Sequence, residues 1–139
     1  MKQKNILLAA IVTCCAAFPL RAEQFTTAAE VRPILEATRS NWVAVREYEG
    51  QDLLYFTHLL AWRCGLEAIY YQVNGGDESI WLGEECHEND TQPNALLSSS
   101  LLPFQAFPLK SIKTVSVRLV YDDGEESIAA YTRQAIMTP

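Results

Sequence analysis

Between Arg63 and Lys110 the chain has no lysine and no arginine, the widest gap of its kind in the sequence. Other omissions are as informative. No Gly-x-Ser-x-Gly, no phosphate-binding Gly-rich loop with Lys, no dinucleotide fingerprint and no His-Glu-x-x-His occurs. Hydrolases, nucleotide enzymes and zinc peptidases that announce themselves by local motifs are thereby set aside. Histidine is limited to His58 and His87, and there are only four cysteines. Beyond the N-terminus no apolar run is long enough to span a bilayer, which takes about 20 residues. No internal repeat and no linker divides the chain.

The N-terminus carries what the rest lacks. Lys2 and Lys4 precede an apolar run from Ile6 to about Leu20, and Arg21 and Ala22 close it. A basic start, a short apolar middle and a small residue at the exit are the marks of a secretory signal. Pro19 suits an extended cleavage region better than a continuing helix. Cleavage is expected after Ala22, although Leu20 stands where alanine is usual at the third residue before the cut. Ile11-Val12-Thr13-Cys14 resembles a bacterial lipobox, but Thr13 departs from it and the apolar run continues past Cys14, so a plain signal is favoured. The expected organisation is a signal peptide over residues 1–22 and one exported domain over 23–139, in the bacterial periplasm or outside the cell.

Removing 22 of 139 residues leaves 117, enough for one modest core. All 17 acids survive and 8 of the 11 bases remain, so the mature net charge is 8 − 17 = −9. A chain this acidic repels phosphate backbones and anionic lipid, which excludes nucleic acid as an expected partner and favours a protein with a basic surface. Cys14 and Cys15 leave with the signal, so Cys64 and Cys86 are expected to form a disulfide. Closing that loop contributes about 3 kcal/mol in the chain-entropy model. Their spacing is neither Cys-x-x-Cys nor a zinc pattern, and no metal or cofactor is expected.

Periodicity predicts a mainly β, antiparallel α+β domain: a short N-terminal helix and about six strands in a small sandwich. Val31, Ile34 and Leu35 have helical spacing within residues 28–39, with Thr26 or Thr27 as cap. Pro33 suggests that the regular helix begins near Arg32. Residues 42–48 alternate, and Glu49-Gly50-Gln51-Asp52 reads as a turn. Residues 53–62 read as a strand covered on both sides, with a helix capped by Asp52 and ended by Gly65 as its competitor. Residues 66–73 form the next strand, turned by Asn74-Gly75-Gly76-Asp77 into 79–82. A C-terminal hairpin centred on Asp123-Gly124 pairs Leu119 with Ile128 and Val117 with Ala130. Residues 84–110 are the least regular part, with room for a short helix at 95–102.

Chemistry-bearing groups are sparse. His58 sits among Leu54, Phe56, Leu60 and Trp62, the surroundings of a structural histidine. Gly83-Glu-Glu-Cys-His-Glu-Asn-Asp90 lacks both EF-hand and zincin order and reads as a solvated acidic loop. Asn89-Asp90-Thr91 is a glycosylation acceptor only in a eukaryotic secretory pathway. The base-free stretch holds Glu67, Asp77, Glu78, Glu84, Glu85, Glu88 and Asp90, a net charge of −7. Within it, Glu84, Glu85, Glu88 and Asp90 lead into Leu101, Leu102, Phe104 and Phe107. Charge beside apolar side chains on a long loop makes these residues the candidate contact surface. The expected function is a non-enzymatic binding or accessory module. An exported inhibitor of a basic enzyme, or a small hydrolase-type enzyme using His58 or His87 with carboxylates, are the alternatives.

Overall fold

The computed structural model describes residues 24–139. The expected signal peptide, its cleavage site and Cys14 lie outside the described residues. Helix α1, Ala28–Ala37, starts where Thr27 and Glu30 form a capping box. Glu30 accepts from the Thr26 N–H at 3.0 Å, the Thr27 N–H at 3.1 Å and the Thr27 hydroxyl at 2.8 Å. The first helical N–H, that of Ala28, is taken at 2.8 Å by Asp122 from the far end of the chain. With its orphan donors served, the helix begins at Ala28 and runs through Pro33 rather than starting near Arg32. Val31 and Leu35 are buried as their spacing requires.

Seven antiparallel strands form two sheets. In the first, β1 (Ala44–Tyr48) and β2 (Gln51–Tyr55) are joined through Glu49 and Gly50, both at positive φ (46° and 76°), the geometry of a tight two-residue hairpin. Strand β5 (Phe104–Pro108) adds to the other side of β2, pairing Phe104 with Tyr55. In the second sheet the order is β4-β3-β6-β7, from β3 (Leu66–Val73), β4 (Ser79–Ile80), β6 (Thr114–Tyr121) and β7 (Glu126–Thr132). Val45 and Leu54 of one sheet and Ile69, Val115, Val117 and Leu119 of the other are buried in one cluster with Trp42, Phe56 and Tyr121. This is sandwich-like packing with α1 closing one side. Among the described residues no helix is long and apolar enough to cross a membrane.

Three expectations are corrected. The strand expected over 53–62 runs instead from Gln51, taking in the last two residues of the expected turn, to Tyr55, and a turn of helix, α2 (Thr57–Leu60), follows with a 3-10 turn at Arg63–Gly65. A strand sends neighbouring side chains to opposite faces, whereas one helical turn buries both Leu59 and Leu60. The short helix at 95–102 is absent; irregular backbone with a bend at 99–101 occupies that stretch. Finally, the C-terminal hairpin is shifted by one residue: Leu119 faces Ser127 and Val117 faces Ala129. Its loop has three residues, with Gly124 at φ 83°, a Gly124 N–H to Tyr121 carbonyl bond of 2.9 Å and a returning Tyr121 N–H to Glu125 carbonyl bond of 2.9 Å. That is a type I turn closed by a glycine bulge. It sends Ile128 to the solvent face and leaves Asp122 free to cap α1.

A buried carboxylate fixes how β5 crosses to β6. Asp52 accepts from the Lys110 N–H at 3.0 Å, the Ile112 N–H at 3.1 Å and both Arg133 terminal nitrogens. Arg133 beside it, helped by those two amides, lowers its pKa to about 2. A short C-terminal helix, α3 (Arg133–Ile136), buries Ile136 and closes the chain onto β1.

Candidate contact surface

The segment from Trp81 to Pro103 has almost no backbone ladder, yet it is anchored at several points. Cys86 is bonded to Cys64, with 4.9 Å between Cα atoms. Arg63, buried beside Cys64, donates to the carbonyls of Leu60 at 2.9 Å, Glu85 at 2.9 and 3.0 Å, Asn94 at 2.6 Å and Ala95 at 2.9 Å. The fixed fork of a guanidinium suits this task, because it can serve several carbonyls of a loop that cannot serve its own. Burial lowers the pKa of Arg63, and Glu84, with its nearest oxygen 4.0 Å away, opposes that shift. Asn94 accepts from the Cys64 N–H at 2.9 Å and donates to the Phe25 carbonyl at 3.0 Å, tying the loop to the Arg63–Gly65 turn and to the residues before α1.

Glu84 is buried. Its carboxylate accepts from His87 Nε2 at 2.6 Å, the Leu97 N–H at 2.7 Å and the Ser98 N–H at 2.9 Å. Since the carboxylate only accepts, His87 carries its proton on Nε2. The His87 bond first, then the two amides, hold the Glu84 carboxyl down to about 2. Of the four expected contact acids, then, Glu84 faces inward as a clasp, while Glu85, Glu88 and Asp90 are exposed.

The apolar residues also divide. Leu101 and Leu102 are exposed. Phe104 and Phe107 belong to β5 instead of an irregular loop: Phe104 lies half-buried with its ring centroid 5.1 Å from that of Tyr55, and Phe107 packs on the core. Sequence reading passed over three leucines that are more open than those phenylalanines. Leu82 is 81%, Leu97 65% and Leu96 43% exposed. Leu82, Leu101, Leu102 and Phe104 share a cleft of about 390 Å³ with Trp81, at the mouth between β4 and β5. Leu97 lines a second depression of about 340 Å³ together with Asp90, which sets one open leucine beside the acidic stretch. The organising role of Arg63 has only one signal in the sequence, its place as the last base before the base-free stretch.

The histidines are placed otherwise. His58 Nε2 lies 2.8 Å from the Thr38 hydroxyl, which itself donates to the Ile34 carbonyl at 2.7 Å. The hydroxyl has one proton, so His58 donates to it and Thr38 is not activated as a nucleophile. Burial lowers the pKa of His58, which keeps the ring neutral. Among the described residues no group of His, Cys, Asp and Glu is arranged to hold a metal ion. Compared with protein families, with curated proteins and with solved structures, the chain matches none.

Proposed function

We propose that the protein is an exported, non-enzymatic binding module that docks a partner through the surface formed by residues 82–102. The observation that carries this is a set of open leucines (Leu82, Leu96, Leu97, Leu101 and Leu102) on a segment held in place by Arg63, Glu84 and the disulfide. Apolar side chains on an unanchored loop would be expected to fold back; anchored, they stay displayed. No base lies within the segment, and it carries the exposed Glu85, Glu88 and Asp90, so the fitting partner displays apolar side chains among lysines or arginines. The disulfide suits an oxidising compartment, in keeping with export to the periplasm or beyond.

The test is titration of mature protein with two amphipathic peptides of equal apolar content, one carrying lysines and one glutamates. Binding of the lysine peptide alone, weakened by salt and lost in Leu82→Ser/Leu101→Ser, is the expected result. Equal binding of both peptides, or binding indifferent to those substitutions, refutes the reading. Export is checked by the intact mass of protein recovered outside the cytoplasm: it should begin at Glu23 and gain two hydrogens on reduction.

A further inference from the structure

The register of β3 on β6 slips once, between Leu66 and Ala68. Leu66 faces Tyr121 and Ala68 faces Val120, so Glu67 is the extra residue of a bulge. Regular alternation back from the buried Ile69 would send Glu67 to the inner face. The bulge gives that face to Leu66, which packs on the core, and leaves Glu67 exposed. Glu67 then lines a cavity of about 320 Å³ between the start of β3 and the chain that follows β4.

Glu85 lines the same cavity from the other side, and its position is fixed. Its carbonyl takes two bonds from Arg63, at 2.9 and 3.0 Å, and the next residue, Cys86, is bonded to Cys64. Trp81 supplies an aromatic wall. Its ring is stacked on Phe56 with 4.2 Å between centroids, and Gly83 lets the backbone pass close to it: a Cβ there would lie 2.2 Å from the indole Nε1. The charges in the lining do not cancel. Arg63 directs its five N–H donors at carbonyls, and Glu84, 4.0 Å away, offsets its charge. Glu67 and Glu85 are left over. Among the described residues neither carboxylate has an ion pair or a hydrogen bond, whereas Glu78 and Glu126 are held by Arg118 and Glu47 by Arg133.

We infer that this cavity seats one basic side chain, a lysine or an arginine, of the protein partner. The inference rests on the docking function proposed above and names the contact that gives it specificity. Two unheld carboxylates and a fixed indole are complementary to an organic cation, which is attracted by both. A hard metal ion calls for several oxygen donors in a set arrangement, and no group of described residues provides one. The cation belongs to a protein because Trp81 also lines the cleft that holds Leu82, Leu101 and Leu102. One ring is therefore the shared wall of an apolar cleft and an acidic cavity. A partner that presents an apolar residue and a base close together fills both at once, and the fixed walls reduce the entropy lost on docking. Glu67 joins this surface from β3, outside the 82–102 segment.

Two probes separate this cavity from the docking surface as a whole. The first is the lysine-bearing amphipathic peptide, titrated against wild type, Glu67→Gln/Glu85→Gln and Glu88→Gln/Asp90→Asn. The first variant should bind about tenfold more weakly, through two lost charge contacts, and the second less than about threefold, with melting temperatures unchanged. Equal losses in the two variants mean diffuse attraction and overturn the inference, while loss of binding in Leu82→Ser/Leu101→Ser still upholds the docking function. The second probe is butylammonium, followed by NMR against sodium at equal ionic strength. It should shift the Trp81 indole and Glu85 amide resonances saturably in wild type and not in Glu67→Gln/Glu85→Gln. No saturable shift, or one unchanged in that variant, overturns the inference whether or not the peptide binds. Butylammonium shifts without peptide binding refute the docking function, and with it the assignment of the cavity to a protein partner.

Discussion

The β3-β6-β7 sheet and the segment from Trp81 to Pro103 lie in the same molecule and are held by opposite means. The sheet satisfies its backbone through its own ladders, with Val115, Val117, Leu119 and Tyr121 burying one face of β6. The segment satisfies its backbone through side chains, Arg63 for three of its carbonyls and Glu84 for two of its amides, while its Asn94 serves the Cys64 amide and the Phe25 carbonyl outside it. In the sheet many small terms add, and loss of one is shared. In the segment a few buried polar groups each do what no neighbour can do, so single changes there should have local and large consequences.

The largest expected effect follows from Arg63. Arg63→Met should cost about 4 kcal/mol, because it strips donors from buried carbonyls and leaves Glu84 without its nearby cation. Hydrogen exchange should show protection lost over residues 84–98 before the sheet. A uniform loss of protection across both regions would break the contrast. Leu119→Ala should cost about 3 kcal/mol in denaturant titration through the cavity left in a fully buried site. Its effect should be global, lowering protection in β3, β6 and β7 together. Cys64→Ser/Cys86→Ser should cost about 3 kcal/mol, since the loop it opens spans 22 residues. Loop 84–98 should remain partly ordered on Arg63, and its complete disordering would mean that the disulfide, not the arginine, organises it.

Acid should separate the regions further. Glu84 has a folded pKa of about 2 against an ordinary 4.5, and Asp52 about 2 against 3.8. A depressed carboxyl stabilises the fold above its ordinary value, and that contribution fades as pH falls toward the folded value. Protection of the Leu97 and Ser98 amides should therefore decline between about pH 4.5 and 2, and Glu84→Gln should remove the pH dependence at those two amides alone. The smallest change in stability is expected for Leu82→Ser, within about 0.5 kcal/mol, because that side chain is displayed to solvent. Its effect should appear in peptide binding instead, and a large fall in melting temperature would place Leu82 in the core.

Local pattern made several elements legible. The strand expected over 66–73 is β3 residue for residue, since alternation and the Asn74-Gly75 turn bound it on the chain itself. The same holds for the cysteine pairing, since Cys64 and Cys86 are the two cysteines beyond the expected signal peptide. The start of α1 was not legible: Pro33 pointed to Arg32, whereas the capping box begins the helix at Ala28. The candidate contact surface was legible in outline only. Its acidic and apolar ends are consecutive in the chain, but whether Glu84 or Glu85 faces outward depends on where Arg63 and the Leu97 amide lie. Neither is near it in sequence.

What the sequence determined by itself, then, is most of the strands, the antiparallel sandwich-like class and the disulfide. Each follows from periods, turns or counts that a local window contains. Only the tertiary structure decided the one-residue register of β6 on β7, the end of β2 at Tyr55, the recruitment of 104–108 into the first sheet and the inward turn of Glu84. These rest on partners far along the chain. Asp122 caps Ala28, Phe56 donates to Pro103, Asp52 gathers the amides of Lys110 and Ile112, and Glu84 takes those of Leu97 and Ser98. A buried polar group must find a partner wherever the fold supplies one, and periodicity carries no record of where that will be.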